Sequence, residues 1–144
     1  MLIYSCSDLI FATKIRSTAE VLRVESRPAR NLDMLRARLD QVDDGKVNEP
    51  VTVVMIDLEL GEQAFELIKL AAQHTAKVSG ADSEEGSAGM SGGDSGEGGP
   101  TVIAFAPHVM TEAMAGAERI GADLVMARGS FTNQLPELIK QYGS

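Results

Sequence analysis

Cysteine occurs once, at Cys6, and tryptophan not at all. A lone cysteine excludes an internal disulfide, and no CxxC or HExxH spacing offers the paired ligands that a structural or catalytic zinc needs. A reducing compartment is the simplest home for such a chain. Long apolar runs are missing too: nowhere do the roughly 18 consecutive apolar residues of a membrane-spanning helix occur. The opening stretch, Met1 to Ala12, is broken by Asp8, has no basic region ahead of it and no small-residue cleavage site behind it, so no signal peptide is expected. Positive charge is in deficit, with 13 Lys plus Arg against 21 Asp plus Glu and a formal net charge of -8. That balance disfavours nonspecific attraction to nucleic acid or anionic membrane, and the expectation is a cytoplasmic domain with neither as partner. No GxGxxG opens the first helical segment, no GxxxxGKS/T occurs, and no serine or cysteine is visibly matched to a histidine and an acid. Phosphate-cradling loops and nucleophilic triads therefore have no sequence support.

What is present is enough chain for one domain. A chain of 144 residues buries about 70% of its unfolded surface on folding, and 44% hydrophobic with 24% charged residues is ordinary globular composition. The expectation is a single domain over 1–144. One segment departs from it: residues 79–99 hold 8 Gly, 5 Ser and 5 acidic residues with no aromatic or branched apolar side chain. Such a composition does not bury enough surface to offset its ordering entropy, and loop closure grows only slowly with length. It is expected to be a flexible acidic loop, either a solvated linker or, through its serines, a docking or phosphorylation segment.

Elsewhere short apolar runs alternate with helical periods. Met1 to Ser5 is expected to be a buried strand, followed by a helix from Asp8 to Leu22 with Leu9, Ala12, Ile15, Ala19 and Leu22 recurring at helical spacing. Ser7 is placed to cap that helix, leaving Asp8 in its first turn, where the dipole favours an acid. Val24 to Arg27 gives a short second strand, Pro28 a loop, and Asn31 a cap for a helix carrying Leu32, Leu35 and Leu39. Asp43-Asp44-Gly45 marks a turn. Val51 to Ile56, β-branched at five of six positions, belongs at the centre of the sheet. A third helix spans Gly61 to His74, a fourth strand Thr101 to Ala106 and a fourth helix Thr111 to Ile120, ended by Gly121. Leu124 to Ala127 and a helix from Ser130 to Tyr142, with Pro136 placed in its first turn, complete five βα units. Apolar strands joined by helices imply a five-stranded parallel sheet with right-handed crossovers: an α/β, flavodoxin-like (βα)5 three-layer sandwich.

In such sheets ligands bind outside the carboxyl ends of the strands, which singles out Ser5, Cys6, Ser7, Asp57, Ala106, Pro107, His108, Arg128 and Gly129. The segments MLIYSCSDLI, VVMIDLEL, TVIAFAPH and GADLVMARGSF, in this order and spacing, resemble the receiver domain of bacterial two-component response regulators. The resemblance covers almost the whole chain outside the acidic loop. It implies that Asp57 holds the phospho-acceptor position. It also exposes departures. The acidic pair that holds magnesium after the first strand in receivers is replaced by Ser5 and Cys6, which lack the charge and the hard oxygens magnesium prefers. The family's hydroxyl at the end of the fourth strand falls at Ala106, and its lysine at the end of the fifth falls at Arg128, with Gly129 where a proline is usual. Arginine keeps the positive charge in a broad planar fork and is expected still to be able to pair with Asp57.

The bland alternatives run alongside. Asp57 serves equally as a turn cap or a standing partner of Arg128, and Cys6 as a small buried hydrophobe. His108 is either a pH-dependent contact of the cleft or a solvated loop residue. His74 suits the cation-favouring end of its helix, and Met110, Met114 and Met126 suit core filling. Around the second unit Arg23, Arg27, Arg30, Arg36 and Arg38 alternate with Glu20, Glu25, Asp33 and Asp40, the pattern of a solvated, salt-bridged face. The reading that results is a non-catalytic, pseudo-receiver signalling or protein-interaction module, with no cofactor, no metal and no fused output domain. It does not use magnesium-dependent aspartyl phosphorylation, and it binds a protein partner or forms a homodimer through its fourth and fifth helices. The alternatives are an atypical receiver phosphorylated on Asp57 and a small-ligand-binding flavodoxin-like protein or enzyme.

Overall fold

The computed structural model describes residues 1–40, 42–43, 46–47, 51–73 and 100–143. Five strands lie parallel in one sheet: β1 (Leu2–Ser5), β2 (Ser26–Pro28), β3 (Val53–Asp57), β4 (Thr101–Ala106) and β5 (Leu124–Ala127), in the order β2-β1-β3-β4-β5. The helices are α1 (Leu9–Val21), α2 (Leu32–Leu39), α3 (62–73), α4 (Thr111–Ile120) and α5 (Arg128–Tyr142), with a 3-10 turn at Leu58–Leu60. This is the expected flavodoxin-like sandwich. The strand segment Val42–Asp43 pairs antiparallel with Lys46–Val47 across the predicted turn. Asp44, Gly45, His74 and the 79–99 loop lie outside the described residues.

Because successive side chains leave a strand on opposite faces, each apolar strand feeds two cores. Leu2, Tyr4, Val53, Met55, Ile103 and Phe105 meet Phe11 and Ile15 of α1 and Phe131, Leu135 and Ile139 of α5. Ile3, Val54, Ile56, Val102, Ala104 and Ala106 meet Leu35 of α2, Ala64, Leu67 and Ile68 of α3 and Ala117 of α4. The first core is aromatic: Phe105 stacks on Phe131 with ring centroids 4.2 Å apart, and Phe11 tilts against both at 5.0 and 5.8 Å. The second is rich in alanine, which lets its helices sit close to the sheet.

Helix ends carry most of the corrections to the sequence reading. Asp8, not Ser7, caps α1: its Oδ1 accepts from the Phe11 N–H at 2.8 Å. Asn31 caps α2 as expected, accepting from Met34 N–H at 2.8 Å. β2 starts later than expected because the end of α1 claims Val24, whose N–H donates to Ala19 O at 2.8 Å while Arg23 turns left-handed at φ 62. Pro28 ends β2 within the ladder opposite Tyr4, on an edge strand where its missing N–H is tolerated. α5 begins two residues before the expected Ser130, and Pro136 stands in its interior, beyond the first turn from either start. Gly121 closes α4 at φ 131, and a Cβ there would lie 2.6 Å from the Ala72 Cβ, so both backbone and space demand glycine. The Asp123 carboxylate accepts from Val102 N–H at 2.8 Å, and its own N–H donates to Val102 O. The Gly-Ala-Asp segment is thereby a joint between α4, β4 and β5.

The arginine-rich second unit is only partly a solvated face. Arg27 pairs with Glu25 at 3.1 Å and Arg36 with Asp33 at 3.8 Å, both exposed, and such pairs contribute about 0–1 kcal/mol. Arg38 is instead buried, its Nε donating to Pro28 O at 3.0 Å.

Candidate functional site

The carboxyl ends of β1, β3 and β4 meet along one edge of the sheet. Register sets Ser5 opposite Ile56 and Asp57 opposite Phe105, so Asp57 is enclosed between α1, the 3-10 turn and α5. It is 0% exposed. A carboxylate without solvent needs full compensation, and four donors supply it. Oδ2 accepts from Ser7 Oγ at 2.7 Å, Ser7 N–H at 3.0 Å and Arg128 Nη2 at 3.5 Å, while Oδ1 accepts from Glu59 N–H at 2.9 Å. With Asp8 capping α1, Ser7 stands one residue ahead of the helix with both its donors directed at Asp57. The Glu59 contact also makes Asp57 the cap of the 3-10 turn.

Arg128 is the first residue of α5, where the helix dipole opposes a cation. Three contacts offset that. Besides Asp57, Nη2 reaches Glu59 Oε1 at 3.2 Å, and the guanidinium carbon lies 4.9 Å from the centroid of the Phe11 ring. Its Nε is buried and has no hydrogen-bond partner among the described residues.

The receiver resemblance implies a magnesium ion beside Asp57, and the donor set tests that. Magnesium takes hard oxygen ligands in a near-octahedral shell. Here Oδ2 faces N–H, O–H and guanidinium groups, whose positive ends repel a cation, and the second carboxylate, Glu59, is engaged by Arg128. Ser5 Oγ turns away to donate to Ala29 O at 2.7 Å. The Cys6 thiol is pushed up to about 12, chiefly by burial and then by the negative charges of Asp57 and Asp8, so it stays neutral. The residues present do not fit magnesium. Among the described residues, no three His, Cys, Asp or Glu side chains converge as a metal centre requires.

Of the positions singled out from the sequence, Ser7, Asp57 and Arg128 come together. Ser5 and Cys6 flank them without bonding Asp57. Ala106 is fully buried and belongs to the alanine-rich core, and His108 is exposed on the loop after β4, bonded to no member of the cluster. Sequence reasoning missed Glu59 and Phe11. The signal for Phe11 was its helical spacing with Ile15; for Glu59, its position two residues beyond Asp57. Beside the cluster a groove of about 530 Å³ opens between the start of α1 and the end of β2, lined by Ser5, Cys6 and Ser7 but not by Asp57.

Comparison with family models and with curated proteins gives no match. Solved structures do match. A response-regulator signal receiver domain from Bermanella marisrubri superposes with TM-score 0.65 at 13% identity, covering 99% of this chain and 97% of that one. A response regulator from Thermotoga maritima gives 0.59 at 15%, covering 97% and 93%. A response regulator from Burkholderia pseudomallei, solved with a phosphorylated aspartic acid, calcium ion and citrate, gives 0.57 at 15%, covering 97% and 71%. At such identities the likeness establishes the fold: this chain is folded as a response-regulator receiver domain.

Proposed function

We propose that this chain is a signalling module that acts by protein–protein contact and does not switch by magnesium-dependent aspartyl phosphorylation. The fully buried, fully bonded carboxylate of Asp57 carries this reading. To attack a phosphoryl group a carboxylate oxygen needs an open in-line path and a counter-charge that also neutralises the incoming group. Asp57 has no exposed surface, and Arg128 already supplies a fixed internal counter-charge. The phosphorylated aspartic acid and calcium ion of the Burkholderia neighbour illustrate a chemistry for which this chain lacks the metal-binding acids. On this reading residues 1–144 form one domain, no enzymatic step is performed, and Ser7, Asp57 and Arg128 form a standing latch. Partner contact falls to the exposed side of α4 with β5 and α5, a second copy of the chain being one occupant; nucleic acid and membrane are not partners. No described helix is long and apolar enough to cross a membrane.

One observation favours a second reading. Among the described residues Arg128 Nε is a buried donor without an acceptor, and a phosphoryl oxygen on Asp57 is the kind of acceptor it lacks, as in an atypical phospho-acceptor. Incubation with acetyl phosphate and magnesium, read by intact mass, separates the two. The first reading expects no adduct; an adduct on the wild type and not on Asp57→Asn establishes the second. For partner contact, Asp57→Asn is expected to leave binding intact while Glu118→Lys on the exposed side of α4 weakens it, and the reverse pattern refutes the proposed docking face.

A further inference from the structure

The groove beside the latch is built differently from it. One wall is a single face of α1: Leu9, Ala12, Thr13 and Arg16, spaced i, i+3, i+4 and i+7, all line it. The opposite wall comes from β2 and the loop after it and carries Ser26 and Arg30. Tyr4 lines the groove at only 6% exposure, and its hydroxyl forms no hydrogen bond with any described residue. Among the described residues the buried unpartnered side-chain atom is Arg128 Nε; the Tyr4 hydroxyl instead opens onto the groove, free to meet a ligand there.

Charge points to what that is. The lining contains two cations, Arg16 and Arg30, and one acid, Asp8. Neither guanidinium is paired with a carboxylate among the described residues, whereas Arg27, Arg36 and Arg128 all are. Asp8 caps α1 through its Oδ1, which accepts from the Phe11 N–H, and forms no ion pair with either arginine. In a chain of net charge -8, an unneutralised arginine pair in a groove is a directed feature. Burial raises the Tyr4 pKa, with Arg16, Arg30 and Arg38 acting in the other direction, and the protonated hydroxyl is a donor. Leu9, 80% exposed, Ala12 and Leu60 supply apolar surface along the same groove. Its volume, about 530 Å³, falls in the usual range for small-molecule sites, about 300–1,000 Å³, and it lies outside the carboxyl ends of parallel strands, where α/β sheets receive ligands.

We infer that this groove binds a small organic anion, its phosphate or carboxylate held by Arg16, Arg30 and the Tyr4 hydroxyl and its apolar body lying along Leu9, Ala12 and Leu60. The site is separate from the Asp57 latch and does not depend on the function proposed above. The test is an amide NMR titration of the full chain with phenyl phosphate and, in parallel, with inorganic phosphate. The result expected is saturable shifts at Tyr4, Thr13, Arg16 and Arg30, with inorganic phosphate at least about tenfold weaker. The double variant Arg16→Gln/Arg30→Gln, altered only at exposed side chains, should retain its fold and lose at least about tenfold in affinity, as expected for charge-assisted hydrogen bonds. Tyr4→Phe should weaken binding several-fold, and Asp57→Asn should leave it unchanged. Absence of saturation, equal affinity for inorganic phosphate, or undiminished binding by the double variant overturns the inference, as does loss of binding in Asp57→Asn.

Discussion

The two regions on either side of Ser7 use the same kinds of group to opposite effect. In the latch, a carboxylate with no exposed surface is met by a hydroxyl, two backbone N–H groups and a guanidinium, and the guanidinium is stacked on an aromatic ring. In the groove, two guanidinium groups and a tyrosine hydroxyl face an open volume without partners among the described residues. Satisfied buried charges contribute rigidity, and removing one member leaves the other uncompensated. Unsatisfied groups at a surface cost little to change, because water already serves them. Neighbouring strand ends of one sheet therefore differ in access: Asp57 is fully buried, whereas the groove beside the ends of β1 and β2 is open.

That contrast predicts a graded response to substitution. Arg128→Ala should be the most damaging, since it strands Asp57 in the interior and exposes the Phe11 face; the expected loss is about 2–3 kcal/mol in urea unfolding, the low side for a broken buried pair because Arg128 is partly exposed. A loss within about 0.5 kcal/mol would mean the latch contributes no rigidity. Ser7→Ala removes the 2.7 Å bond to an ionised acceptor and should cost about 1–2 kcal/mol by the same measurement. Asp57 retains its backbone donors in that variant, so the loss should stay below that of Arg128→Ala.

Cys6 gives a pH-dependent test between the two regions. Its folded pKa, raised from 9.0 to about 12, means that the folded state holds the thiol proton more tightly than the unfolded chain does. The associated stability is fully present below pH 9.0 and is lost as pH rises toward about 12. The urea midpoint should therefore fall less in Cys6→Ala than in the wild type on moving from neutral pH into that window. Identical falls would remove the thiol from the account. The smallest effect belongs to the groove: Arg16→Gln/Arg30→Gln should change stability by less than about 0.5 kcal/mol, and a loss comparable to Ser7→Ala would show that these arginines are structural.

Where local pattern and tertiary context agree, the sequence is a reliable guide. Thr101–Ala106, Thr111–Ile120 and Leu124–Ala127 match the expected elements residue for residue, because each is a plain apolar or helical run bounded by Pro100, Pro107 or Gly121. Disagreement appears where a distant residue decides. Ser7 and Asp8 are both good caps by type, and it is Asp57, fifty residues on, that claims the Ser7 hydroxyl and leaves the cap to Asp8. Val24 is β-branched and apolar, yet the bond from its N–H to Ala19 ties it to the end of α1. The pairing of Arg128 with Asp57 was legible from the receiver resemblance, which places both at strand ends of one cleft, whereas the Phe11 ring beneath the guanidinium was not, since one-dimensional spacing does not show which side chains converge. The groove was invisible for the same reason: Arg30 read as part of a solvated charged surface and Arg16 drew no reading at all until the fold set both beside Tyr4.

The most direct test of the closed latch is an amide NMR titration with magnesium and then beryllofluoride, an aspartyl-phosphate mimic, on the wild type and on Asp57→Asn. The account predicts no Asp57-dependent shifts at any magnesium concentration that leaves the protein folded. Saturable shifts around Asp57 that extend into α4 and α5 and vanish in Asp57→Asn would contradict it, and would make the domain a phosphorylation switch.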